Sequence, residues 1–143
     1  MSTEYTVIGR VRNSHNVLRL IKGIEDKGYT CYNFLSKPAA PDSADLPWEE
    51  QMDILEAHED FWNDPVHRAH FVEDMQGLKN ADTVVMLLPC GNAAHMEAGV
   101  SYGLGKNMIL IGEVEKPETL YLMFDERYPD IESFLATLVK KTP

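Results

Sequence analysis

Four short stretches of the chain are almost continuously apolar, and the segments between them repeat their apolar residues at helical spacing. The four are YTVIG (5–9), TCYNF (30–34), DTVVMLLP (82–89) and NMILIG (107–112). Their length and their Gly, Pro or polar boundaries predict buried strands. HNVLRLIKGIEDKGY (15–29) puts Val17, Leu18, Leu20, Ile21 and Ile24 at helical spacing, with Gly28 as its stop. SKPAAPDSADLP (36–47) holds three prolines and predicts a loop. Helices are predicted over 48–62, over 65–81 with Pro65 in the first turn, and over 92–105 with Asn92 as N-cap. PETLYLMF (117–124) predicts a short helix. DIESFLATLVKK (130–141) predicts a terminal one, capped by Asp130 and ending in lysines. No internal repeat or low-complexity segment interrupts the series.

Strands alternating with helices predict an α/β fold, a doubly wound parallel sheet with helices on both faces. Such sheets bind ligands beyond the carboxyl ends of their strands, where strand order reverses. That rule selects three places: after Ile8, after Phe34 and after Leu88.

Length and charge narrow the picture. The 143 residues suit a single domain with one core. An apolar content of 44% with 25% charged residues is that of a soluble globular protein. No run approaches the roughly 18 apolar residues of a membrane span. MSTEYTVIGR lacks a basic region followed by an apolar one, so no secretory signal is expected. Cys31 and Cys90 read as reduced intracellular thiols. A net charge of -10 argues against binding nucleic acid or an anionic membrane. From Pro38 to His67 there are nine acids and no Lys or Arg, which marks an acidic insertion at 36–64. It is either a solvated segment or a cover beside a site.

Several chemistries leave no mark here. GRVRNSHN after the first strand is not a flavin-phosphate loop, and Gly9-Arg10 replace the paired acids of a response regulator. Cys90 has Met96, not Arg, six residues on, so it lacks the phosphate partner of a thiol phosphatase. GLGK (103–106) lies at a helix end and predicts a helix stop. Asp64, His67, His70 and Asp74 share a helical spacing that suits Zn or Fe ligands. No C-x-x-C or H-E-x-x-H supports them, and no metal is assigned.

Glu97 stands out: a single acid within a helix of small and apolar residues, directly after the strongest strand. A helix N-terminus favours its ionised form and burial opposes it. A carboxylate in a dry pocket can attack or stabilise a cationic carbon, as in a retaining glycosidase. The other reading is a surface residue, solvated or paired with Lys106.

The segment FVEDMQGLKNADTVVMLLPCGNAAHMEAGVSYGLGKNMILI (71–111) resembles the nucleoside 2-deoxyribosyltransferase family and its relatives that hydrolyse nucleoside monophosphates. The resemblance rests on Asp74, Ala81-Asp82, VVMLL, Glu97-Ala98-Gly99, Gly105-Lys106 and NMILI, in that order. It implies that Glu97 attacks C1′ of a sugar and that Asp74 helps protonate the leaving base. It implies sugar and phosphate contacts from the loop Gly9, Arg10, Val11, Arg12 and Asn13, with Arg10 or Arg12 on a 5′-phosphate. His95 is a further candidate for sugar or base. Two departures stand out. The loop PCGNAA offers Gly91 and Asn92 where the transferases carry an acid, and residues 89–95 lack the Ser of many nucleotide hydrolases.

These readings combine into a cytoplasmic, flavodoxin-like α/β protein with about five strands, one domain over residues 1–143. It is expected to cleave or transfer an N-glycosidic bond of a nucleoside or nucleoside 5′-monophosphate, with no cofactor. The resemblance also implies a homodimer or larger homo-oligomer, for which TLYLMF (119–124) is a candidate contact. The alternatives are an NAD glycohydrolase of the Toll/interleukin-receptor-like kind, or a nucleotide sensor without turnover.

Overall fold

The computed structural model describes residues 2–142. Five parallel strands form one sheet in the order β2-β1-β3-β4-β5. They are β1 (Thr3–Ile8), β2 (Cys31–Tyr32), β3 (Ala81–Leu87), β4 (Asn107–Ile111) and β5 (Glu126–Tyr128). Helices α1 (Ser14–Asp26), α2 (Trp48–Glu56), α3 (Pro65–Asn80), α4 (Asn92–Gly103) and α5 (Ile131–Leu135) connect and follow them. This is the flavodoxin-like order, and it reverses between β1 and β3.

The central strands read as unbroken apolar runs because both faces are covered. Val7, Val85, Leu87, Ile109 and Ile111 face one core, filled by Val17, Leu20, Ile21 and Ile24 of α1 and by Ile131 and Phe134 of α5. Their alternates, Ile8, Val84, Met86, Met108 and Leu110, face a second core closed by Leu78 of α3 and by Ala94 and Ala98 of α4. The small alanines let α4 lie close to β3 and β4. At 25 cal/mol per Å², each fully buried Val, Leu or Ile contributes about 1.5–3 kcal/mol.

Four expectations need correction. Leu18 falls off the buried stripe of α1 and is 40% exposed. The helix predicted over 48–62 ends at Glu56. Asp60 takes a left-handed conformation (φ 51°), and a 3-10 turn at Phe61–Asn63 follows. The terminal helix stops at Leu135 instead of 141. Its tail is pulled across the end of α1, where Lys141 N donates to Lys27 O at 2.8 Å and Tyr29 OH donates to Val139 O at 2.7 Å. The predicted helix at 117–124 is a 3-10 turn over Thr119–Met123. The fifth strand is the three-residue edge ERY, paired with Ile109–Ile111 of β4. Among the described residues no helix is long and apolar enough to cross a membrane.

Candidate functional site

The reversal between β1 and β3 opens at Gly9 on one side and at Leu88–Gly91 on the other. Gly9 permits a close approach here, since a Cβ would meet Val17 of α1 at 3.1 Å. Beyond it, Arg10 is exposed and pairs with no carboxylate among the described residues. Its charge reaches Cys90, where it opposes the burial that pushes that thiol up to about 11. Arg12 is differently placed. Its guanidinium donates to Asp53 at 3.0 Å and to Glu56 at 2.8 Å, which ties the loop to α2. The Asn13 Nδ2 is buried without a partner, while its Oδ1 accepts from Asn16.

Helix α4 begins after β3, but its cap is not the predicted one. Gly91, in extended backbone, holds the cap position without a side-chain bond. Asn92 is the first helical residue, and its exposed side chain is left to solvent or a ligand. Ala94, Ala98 and Ser101 form the buried face of the helix. His95 and Glu97 are two residues apart, about 200° around the axis, and so flank that face on opposite edges.

His95 is held on its own edge. Its Nδ1 donates to Gly91 O at 2.8 Å, so its Nε2 accepts from Tyr121 OH at 2.9 Å. There it lines a cleft of about 500 Å³ with Leu88, Pro89, Cys90 and Tyr121. A neighbouring cleft of about 590 Å³ is walled by Gly112, Arg127 and Tyr128. Glu97 lies on neither wall.

Glu97 instead lies near enough to Asp74 of α3, and both to Tyr32 at the end of β2, for their charges to act on one another. Burial first, and the nearby Asp74 with it, push the Glu97 carboxyl up to about 8. Asp74 is itself raised, by burial first; Glu73 adds to the shift and His70 opposes it. Tyr32 is raised by burial and then by Asp74, Glu73 and Glu97. The ring of Tyr32 reaches this place because Gly77 lies one turn after Asp74. A Cβ there would stand 2.7 Å from the ring. No Lys or Arg forms an ion pair with Glu97 or Asp74 among the described residues. Two acids are thus desolvated together without an ion-pair partner among the described residues, and the pair shares a proton near neutral pH. Such a pair can take up or give a proton at working pH.

The quartet Asp64, His67, His70 and Asp74 does not converge. His70 donates to Ala39 O at 2.8 Å, Asp74 belongs with Glu97, and Asp64 and His67 meet His58 instead. Tyr32 was not among the residues singled out by sequence. The rule of strand carboxyl ends was the available signal, and Tyr32 ends β2. Lys106 donates to Lys79 O rather than pairing with Glu97.

No family model and no curated protein sequence matches the chain. Solved structures do. The 2-deoxyribosyltransferase of the psychrotolerant bacterium Bacillus psychrosaccharolyticus superposes with a TM-score of 0.64 over 98% of both chains, at 16% identity. The CMP N-glycosidase of Clostridium botulinum superposes with a TM-score of 0.52, over 94% of this chain and 97% of its own, also at 16% identity. The chain thus has the flavodoxin-like fold of a deoxyribosyltransferase and of a nucleotide N-glycosidase.

Proposed function

We propose that this chain is an enzyme of the nucleoside 2-deoxyribosyltransferase type, which cleaves or transfers the N-glycosidic bond of a nucleoside or nucleoside 5′-monophosphate. The observation that carries the reading is the half-buried Glu97, pushed up to about 8 beside a second half-buried acid, on a fold shared with two enzymes of that chemistry.

Glu97 in its ionised form attacks C1′, where positive charge develops as the bond to the base lengthens. As Glu97 ionises, the proton of the pair passes to Asp74, which delivers it to the departing base. The glycosyl-enzyme then yields to water or to a second base. Tyr32, near both acids, would donate a hydrogen bond to the carboxylate once substrate is bound. Arg10, having no carboxylate partner, takes a 5′-phosphate; Arg12 is already committed to Asp53 and Glu56. The buried Asn13 amide and the backbone at Gly9 address the sugar. Gly91 and Asn92, at the start of α4, are assigned to the base. His95, turned to the opposite edge of α4, stays outside this set. The acidic segment 36–64 is an insertion in one domain, packed beside the site through Arg12.

Released base, measured by chromatography with deoxynucleosides, ribonucleosides, nucleoside monophosphates and NAD, tests the proposal. Release from at least one of the first three classes is expected. Glu97→Ala reduces it at least about a thousandfold, because the covalent path is lost. Release that survives Glu97→Ala removes the assignment. Release from NAD alone moves the chain to the glycohydrolase class, and tight binding without release makes it a sensor.

A further inference from the structure

The chain between α2 and α3 folds three potential metal ligands onto one point. His58 follows the end of α2, Asp64 caps α3, and His67 lies in the first turn of α3. The Asp64 Oδ2 accepts from His58 Nδ1 at 2.7 Å and lies 3.6 Å from His67 Nε2. One ligand atom from each residue falls within 4.8 Å of the others. The Asp64 side chain is only 9% exposed, and those of His58 and His67 are 31% and 20% exposed. The remaining oxygen, Oδ1, accepts from Val66 N, which fixes the carboxylate plane. The Phe61 ring packs on the imidazole of His67 at 4.6 Å between centroids.

Two of the three donor separations lie near those of a metal site. Ligand bonds of about 2.0–2.2 Å in a tetrahedron put donor atoms about 3.4 Å apart. The Asp64–His67 spacing of 3.6 Å is already close to that value, and the His58–Asp64 contact needs to open by less than about 1 Å. Both rings can offer a lone pair by moving their proton to the other nitrogen. His67 Nε2 now donates to Leu55 O at 3.0 Å, and that carbonyl keeps a second donor, His58 N at 3.2 Å, when the ring turns. Two imidazoles and one carboxylate form a set suited to Zn²⁺ and its divalent neighbours, with a fourth position for water.

We infer that His58, Asp64 and His67 bind one divalent transition-metal ion of the zinc class. The ion staples the end of α2 to the start of α3 and so fixes the segment that Arg12 ties to the loop after β1. Its role is structural, and it stands independently of the glycosyl chemistry proposed above.

The test is a titration of untagged, chelator-treated protein with Co²⁺, followed by its visible absorption. Intense bands that saturate at one equivalent per chain and are displaced by Zn²⁺ are expected. His58→Gln and His67→Gln each weaken Co²⁺ affinity at least about tenfold, since even outer partners of a metal site are worth that much. His15→Gln leaves it unchanged. Weak bands without saturation overturn the inference, as do bands undiminished in the double variant. Should the variants not fold, the wild type decides alone. Zn²⁺ must shift the imidazole resonances of His58 and His67 while those of His15 and His95 stay in place; shifts at the latter pair instead overturn it.

Discussion

Helix α3 carries two aspartates, at its cap and almost three turns later, and the fold treats them in opposite ways. Asp64 meets His58 at 2.7 Å, caps the helix through Val66 N, and is held below the usual carboxylate range by those bonds, His58 first. Asp74 is half-buried beside Glu97 with no ion-pair partner among the described residues, and burial raises it. A carboxylate used to hold structure is given partners. Asp74 is given a dry neighbourhood and a second acid, an arrangement that costs stability whenever either ionises. Folds keep such pairs mostly where chemistry requires them.

The contrast can be broken by experiment, and the largest effect should come from Asp74. Asp74→Asn is expected to slow base release by about a hundredfold or more, most of all for bases that leave poorly. It also removes the acid that pushes Glu97 upward, so the apparent pKa in the rate profile falls. Equal rates for all leaving bases would return Asp74 to an ordinary helix residue. Next come the two arginines. Arg10→Ala is expected to raise KM for a phosphorylated substrate by about tenfold or more, as expected for losing a charge-assisted contact. Arg12→Ala leaves KM nearly unchanged. The reverse pattern would show that the bonds to Asp53 and Glu56 open on binding.

The pH profile sharpens the same comparison. The active form is the pair holding a single proton, so kcat/KM should be level below about pH 8 and fall about tenfold per unit above it, where the pair loses that proton. A rate that instead rises up to that pH and stays level shows that ionised Glu97 acts without a proton from Asp74.

The smallest effect is on stability, and its sign is opposite at the two sites. Glu97 has a folded pKa of about 8, above the unfolded value of about 4.3. Between those limits the folded state binds a proton that the unfolded chain has released. Stability therefore falls as pH rises through this window and is flat above it. Glu97→Gln should abolish that slope and raise Tm at pH 8.5. Asp64 runs the other way. Its folded pKa is lowered, so its contribution is present above the unfolded value and lost as pH falls through the folded one. Asp64→Ala should lower Tm by a few degrees at neutral pH, since a helix cap is lost. Thermal unfolding of both variants at two pH values is sufficient. Equal signs would remove the distinction.

How much of this was legible in the sequence differs by residue. β1, β3 and β4 were plain because burial on both faces makes them apolar throughout. β5 was hidden because an edge strand reading ERY carries no apolar signal, and its pairing with β4 is a tertiary fact. Glu97 was visible as a lone acid in an apolar helix. Tyr32 was not, because an aromatic ending a strand looks like core; Gly77 of α3 makes the room that brings its ring to the acids. His58 was missed for a related reason. It reaches Asp64 through a left-handed turn at Asp60, which no helical periodicity foretells. Arg12 was read as a phosphate contact because its acid partners lie more than forty residues away.

The most direct test of the central claim is to catch the sugar on the enzyme. A 2-fluoro-substituted analogue of the best substrate destabilises the cationic transition state, so a glycosyl-enzyme turns over slowly enough to be digested and weighed. The account predicts one added sugar per chain, on the peptide containing Glu97. Base release from the analogue with the adduct on any other residue, or with no adduct at any time, would contradict it.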